Sequence, residues 1–269
     1  MGKFDGYLIC TDLDGTLLTN DKRVSQENID AIKYFMSEGG LFTFATGRVP
    51  EGARATLDYI VPNAPIVTFN GGSIYDYSTD EFLWSSYLPP EAIEVVECID
   101  REYPYAGIAI ATARKLNYCK INDRVLEHSK YENIEVEEIH YKDIKEPWQK
   151  VLFIMEMEYV EGIKKLIYDK GFTKNYSFVQ SARHYYEQLP LGMTKGAGVL
   201  KLAEILGIEH KKLIVIGDND NDKDMVKYAG IGVAVANAVD CVKDVADWIT
   251  VDNENHAIAS VIKKLEKTI

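Results

Sequence analysis

The sequence predicts an α/β protein, a parallel-sheet core interrupted by an inserted α+β domain. Three observations predict it. Short apolar runs alternate with helix-like segments at both ends of the chain, the middle follows a different order of elements, and the polar motifs fall just after the predicted core strands. In open sheets of this kind ligands bind in the crevice at the carboxyl ends of the strands.

Tyr7–Thr11 is a compact apolar run that breaks into Asp12-Leu13-Asp14-Gly15, as a buried strand running into a loop does. Ser25 then precedes Ile29, Ile32, Phe35 and Met36, spaced for one helical face, and Gly39-Gly40 stops the helix. Leu41–Ala45 reads as a second strand ending in Thr46-Gly47-Arg48, Glu51–Asp58 as a helix, and Pro65–Phe69 as a third strand ending in Asn70-Gly71-Gly72. This succession gives parallel strands joined by right-handed crossovers.

From Trp84 to Leu189 the order changes. A helix at Pro90–Tyr103 precedes two strand-like runs, Tyr105–Thr112 and Lys115–Ile121, and two less regular helix-strand stretches follow. Val151–Met157, Val160–Lys170, Tyr176–Ser181 and His184–Leu189 repeat the helix-plus-two-strands theme. The first alternation then returns with a helix at Lys195–Leu206, a strand at Lys212–Ile216, a helix at Asp222–Tyr228, a strand at Gly232–Val235 and a closing amphipathic helix, Ala257–Lys267. The expected division is 1–83 with 190–269 as the core and 84–189 as the insertion.

Apolar residues make up 46% and charged residues 27%, the balance of a globular chain. Thirty basic against 42 acidic residues give a net charge of −12 with no dense Lys/Arg run, which argues against nucleic acid or an anionic membrane as partner. An anionic substrate would need local positive charge, from a metal ion and a few placed cations. Cys10, Cys98, Cys119 and Cys241 lie far apart without a CxxC pair, so reduced thiols are expected. The N-terminus lacks a signal-peptide layout and no apolar stretch reaches about 18 residues. A cytoplasmic location is expected, and the oligomeric state has no signature.

Asp12 and Asp14 are neighbouring carboxylates at a strand tip; alone they fit an Asx-rich turn or a calcium loop as well as a catalytic pair. Gly217-Asp218-Asn219-Asp220-Asn221-Asp222 raises the calcium alternative again, but it lacks the late bidentate glutamate and follows a strand rather than a helix. Thr46 and the Gly47 amide could donate to a phosphate oxygen where a helix N-terminus adds a favourable dipole, although Thr-Gly is also a common turn. Arg48 could neutralise charge or brace its loop.

Asp12-Leu13-Asp14-Gly15-Thr16-Leu17-Leu18 resembles the DxDGT(L) signature of haloacid dehalogenase-type phosphatases. Thr46-Gly47-Arg48 resembles the second motif of that superfamily, Lys195 in Met193-Thr194-Lys195-Gly196 the third, and Gly217–Asp222 the fourth. Asn70-Gly71-Gly72 and Val233-Ala234-Val235-Ala236-Asn237-Ala238 are similar to elements of its Cof-type (type IIB) subgroup, with Ala236 where glycine is usual. Asn253-Glu254-Asn255-His256-Ala257 departs from the subgroup pattern. The resemblance covers about Tyr7–Ser73 and Leu191–Ile262 and implies a three-layer Rossmann-like core carrying a C2B cap that selects the substrate.

The resemblance implies Mg²⁺ as cofactor and a small phosphorylated metabolite, above all a sugar phosphate, as substrate. Asp12 is then the nucleophile that becomes an aspartyl-phosphate, Asp14 the acid and base, and Lys195 the balancing cation. Asp12, the Asp14 carbonyl and Asp218 would hold the metal, with Asp222 on a metal-bound water. Leu13, Thr46, Gly47, Arg48 and Asn221 are the phosphate-binding positions. Glu187, in Tyr185-Tyr186-Glu187-Gln188-Leu189, would bind sugar hydroxyls or simply pair with a basic neighbour. The cap tyrosines suit sugar stacking and sheet packing equally. A phosphosugar mutase of the same superfamily and a non-enzymatic receiver-type phosphoacceptor are the rival readings.

Overall fold

The computed structural model describes residues 2–132 and 135–268. Its strands are β1 (Leu8–Thr11), β2 (Leu41–Phe44), β3 (Ile66–Thr68), β4 (Ser73–Asp76), β5 (Glu81–Ser85), β6 (Gly107–Ala111), β7 (Leu116–Lys120), β8 (Lys150–Ile154), β9 (Tyr176–Ala182), β10 (Tyr185–Pro190), β11 (Leu213–Gly217), β12 (Ile231–Ala234) and β13 (Trp248–Ile249). The chain forms two compact units. One comprises Met1–Gly47, Ala53–Trp84 and Thr194–Ile269, the other Arg48–Gly52 and Ser85–Met193.

In the first unit the strand order is β13-β12-β11-β1-β2, all parallel. β1 and β11 are buried at every position, which explains why Leu8–Thr11 and Leu213–Gly217 read as unbroken apolar runs rather than alternating ones. The chain leaves β1 towards β2 on one side and continues from β11 to β12 and β13 on the other. The order therefore reverses between β1 and β11, and their carboxyl ends flank the position where doubly wound sheets bind ligands.

The helix Gln26–Ser37 starts where the Ser25 hydroxyl accepts from the Asn28 amide, and it buries Ile29, Ile32 and Phe35. It packs beside the helix Ala257–Thr268, which buries Ile258, Val261, Ile262 and Leu265 on one face. The helix expected over 51–58 is instead one turn, Pro50–Ala53, followed by a 3₁₀ turn, Arg54–Asp58. Gly52 and β-branched Thr56 weaken a continuous α-helix there. β3, β4 and β5 form a separate three-stranded sheet, β3 pairing antiparallel with β4. The last two of these strands had no expectation in the sequence.

The second unit holds a sheet in the order β7-β6-β8-β10-β9, antiparallel at each pair. Ile108, Ile110, Val151 and Phe153 pack into one apolar cluster with Val95, Val96 and Ile99 of the helix Ile93–Glu102 and Val160, Ile163 and Ile167 of the helix Met157–Asp169. Lys150 and Glu187, out of step with those positions, fall on the opposite face. The four cysteines are free. Among the described residues no helix is long and apolar enough to cross a membrane.

Candidate active site at the carboxyl ends of β1 and β11

Lys195 opens the helix Lys195–Leu206, whose first turn is closed by the Thr194 hydroxyl accepting from the Ala197 amide at 3.1 Å. The lysine is 3% exposed, so its ammonium needs partners. It donates to Asp12 Oδ1 at 2.5 Å and to Asp222 Oδ1 at 2.6 Å. Asp12 follows β1 directly, held by its amide donating to the Ile216 carbonyl of β11 at 2.9 Å. Asp222, fully buried, turns its other oxygen to the amides of Asp218 and Asn219 at 3.0 and 3.2 Å. One carboxylate thus fixes both the lysine and the loop after β11.

Asp218 Oδ1 accepts from the Thr16 hydroxyl at 2.8 Å, which ties that loop to the one after β1. Gly15 lies between them in a left-handed conformation, φ +86°, and a Cβ there would stand 2.5 Å from Asp218 Oδ2. Only glycine lets the two loops approach so closely. Carboxylate oxygens of Asp12, Asp218 and Asp222 all lie within 4.8 Å of one another.

The electrostatics follow from this crowding. Burial, then repulsion from Asp222, lifts the Asp12 carboxyl well above the usual carboxylate range against the pull of Lys195. Burial and Asp222 push Asp218 up to about 7 despite the Thr16 hydroxyl. For Lys195 burial opposes the charge, but Asp12 and Asp222 outweigh it and hold the ammonium above its ordinary range. Lys195 therefore stays charged, and three carboxyl groups share one ammonium, so ionising all of them leaves excess negative charge. A divalent cation would neutralise it.

The donor set fits Mg²⁺, which prefers a few hard carboxylate oxygens and keeps several water ligands. Asp12 and Asp218 are the two suited to direct ligation. Asp222, whose oxygens already accept from Lys195 and two amides, suits a water-mediated place better.

The other expected residues divide by position. The Asp14 side chain, about one-third exposed, pairs with Lys22 Nζ at 2.9 Å. The Leu13 side chain is fully buried, so only its main chain can serve a phosphate. Thr46 is buried after β2, its amide donating to the Val67 carbonyl at 2.9 Å. Gly47 lies against Asn70, whose Oδ1 accepts from Asn221 Nδ2 at 3.1 Å. Arg48 belongs to the second unit and donates to the Gly52 carbonyl at 3.1 Å, a bracing contact.

Glu187 also belongs to the second unit, buried on β10, where Oε2 accepts from Lys150 Nζ at 2.8 Å and Oε1 from the Ser181 hydroxyl at 2.5 Å. This is the basic neighbour that the sequence left open. Glu187→Gln removes one charge of a buried ion pair and is expected to cost about 3–5 kcal/mol of stability. An unchanged chemical unfolding midpoint would show that the pair does not hold β8 to β10. In the same unit His128 bonds the Tyr118 hydroxyl at 2.9 Å, and burial with the nearby Lys150 brings it down to about 4, a neutral packing histidine.

Two further contributors, Thr16 and Asn253, carry no role expected from the sequence. Thr16 was read only as part of a signature, yet it joins the two acidic loops. Asn237 Nδ2 donates to the Gly15 carbonyl at 2.8 Å, and Asn253 extends the chain by donating its amide to Asn237 Oδ1 at 3.1 Å and its Nδ2 to the Leu18 carbonyl at 3.0 Å. These two asparagines hold the loop after β1 at Gly15 and Leu18. Polar residues clustered after strand ends were the available signal.

The haloacid dehalogenase-like hydrolase family model matches residues 9–262. A 5-amino-6-(5-phospho-D-ribitylamino)uracil phosphatase of Bacillus subtilis, YitU, is 26% identical over 264 residues, covering 96% of this chain and 97% of the relative. The putative phosphatase YxeH of the same organism is 30% identical over 266 residues with the same coverages. A solved sugar phosphatase of haloacid dehalogenase subclass IIB superposes with a TM-score of 0.84 over 96% of this chain and 98% of that one, at 19% identity, a likeness of fold. With the acidic cluster and its lysine at the carboxyl ends of β1 and β11, the chain belongs to the haloacid dehalogenase-like hydrolase family, as one of its phosphatases.

Proposed function

We propose that the protein is a Mg²⁺-dependent phosphatase that hydrolyses small phosphorylated metabolites, sugar phosphates foremost, through a phosphoryl group carried on Asp12. The observation that carries this reading is Asp12 held at the tip of β1 by Lys195, with Asp218 and Asp222 within 4.8 Å. A carboxylate attacks a phosphate dianion only where positive charge offsets the repulsion. Lys195 contributes part of it, and a bound Mg²⁺ would contribute the rest while drawing charge off the phosphoryl oxygens.

Asp12 attacks phosphorus, the bond to the leaving oxygen breaks, and Asp14 gives that oxygen a proton. Asp14 then takes a proton from water, which attacks the phosphoryl group and returns Asp12. The partial exposure of Asp14 lets it exchange protons with solvent. Thr46, Gly47 and Asn221 receive the phosphate. The second unit, which spans most of 84–189, selects the leaving group. Support for a polyhydroxylated one comes from the relatives, one named for a phosphoribityl substrate and one for sugar phosphates. A panel of phosphorylated sugars, polyols and nucleotides ranked by kcat/KM tests that choice; a preference for nucleotides would contradict it.

Chelation should abolish turnover and added Mg²⁺ restore it. The apparent Kd for Mg²⁺ is expected to fall as pH rises through about 7, because the proton on Asp218 competes with the cation. The sign for stability is opposite. A carboxyl raised on folding binds its proton more tightly in the native state, so its contribution is full below the unfolded value and is lost as pH rises to about 7. Calorimetric Mg²⁺ titrations and unfolding midpoints between pH 5 and 8 measure both, and a pH-independent Kd would count against the assignment.

A further inference from the structure

Phe69, Asn70 and Gly71 have φ of 53°, 53° and 97°, three successive left-handed residues directly after β3. Such a conformation is strained for phenylalanine and tolerated by asparagine, and strain of this kind persists where surroundings over-determine it. All three residues are buried. What surrounds them is the machinery of the site. The Asn70 amide donates to the Thr46 carbonyl at 3.1 Å, and Asn70 Oδ1 accepts from Asn221 Nδ2 at 3.1 Å. A Cβ on Gly47 would stand 2.9 Å from Asn70 Nδ2. One on Gly71 would stand 1.9 Å from the Thr194 carbonyl oxygen, immediately before Lys195.

We propose that Asn70 is a positioning residue for phosphoryl transfer, its carboxamide setting the orientation of the Asn221 side chain while its backbone braces the Thr46-Gly47 segment. The turn itself does not require that carboxamide, because glycine adopts a left-handed conformation at less cost than asparagine. The side chain is explained by what it touches, Asn221, 151 residues away in sequence, and the segment at Gly47. The inference rests on the reading of Asn221 as a phosphate-site group.

The test is a double-mutant cycle on an aryl phosphate with saturating Mg²⁺. Asn70→Gly should keep the wild-type unfolding midpoint and lose about ten- to a hundredfold in kcat. Asn221→Ala should cost activity in the wild type and in Asn70→Asp, which keeps both the left-handed preference and the acceptor, but little further in Asn70→Gly. An Asn70→Gly enzyme within about twofold of wild type, or an Asn221→Ala loss as large in that background as in the wild type, overturns the proposal. Should Asn70→Gly fail to fold, the Asn70→Asp background decides: a smaller Asn221→Ala loss there than in the wild type also overturns it. Asp12→Asn in the same assay probes the nucleophile separately, and the Asn70 ratios are read against wild-type turnover whatever that variant does.

Discussion

Asp12→Asn should lower kcat by at least about a thousandfold while leaving the fold intact or slightly firmer. The loss follows from replacing the attacking oxygen's charge by a neutral amide. The stability follows from the crowding: Asp12, Asp218 and Asp222 share one ammonium, and burial with Asp222 already pushes the Asp12 carboxyl up. Removing one of three confined carboxylates relieves repulsion rather than breaking a balanced pair. Steady-state kinetics and thermal unfolding of one preparation read both halves. Wild-type activity would remove Asp12 from the mechanism, and a large fall in the midpoint would contradict the charge argument.

Lys195→Met should act in the other direction on stability and in the same direction on activity. Its ammonium is the shared partner of Asp12 at 2.5 Å and Asp222 at 2.6 Å, all three side chains being nearly inaccessible. Removing one partner of a buried pair costs about 3–5 kcal/mol because the remaining charge is left uncompensated. Catalysis should fall by about 10²–10³, the usual loss when one preorganised positive contact to a developing anion is deleted. Mg²⁺ should recover part of the lost stability by replacing the missing charge, which denaturant titration with and without the cation would show. Equal midpoints for Lys195→Met and wild type would mean that the carboxylates find another counter-charge.

The legible parts of the molecule were those where one physical constraint acts locally. β1 and β11 are covered on both faces, so burial wrote continuous apolar runs into Leu8–Thr11 and Leu213–Gly217. The helix Lys195–Leu206 was legible to the residue because Thr194 caps one end and Gly207, left-handed at φ 66°, ends the other. Asp12, Asp218, Asp222 and Lys195 were readable as an ordered set. Their burial was not, since the lysine reads like any cation at a helix start.

What stayed hidden depends on contacts distant in sequence. The Lys150–Glu187 pair joins residues 37 apart across β8 and β10, and nothing local distinguishes it from a substrate contact. Phe69 was expected to end a strand and instead opens the left-handed turn, in which Gly71 packs against Thr194, 123 residues away. β13 has only two residues, too few for any period to register.

Turnover through Asp12 requires that phosphorus be bonded to its carboxylate before water attacks. The most direct measurement is an acid quench of a single turnover on a ³²P-labelled phosphomonoester with Mg²⁺, followed by borohydride reduction and peptide mapping. Labile label on the protein before reduction and homoserine at position 12 afterwards are expected. Label that never joins the protein during turnover, or homoserine at position 14, 218 or 222, would contradict it.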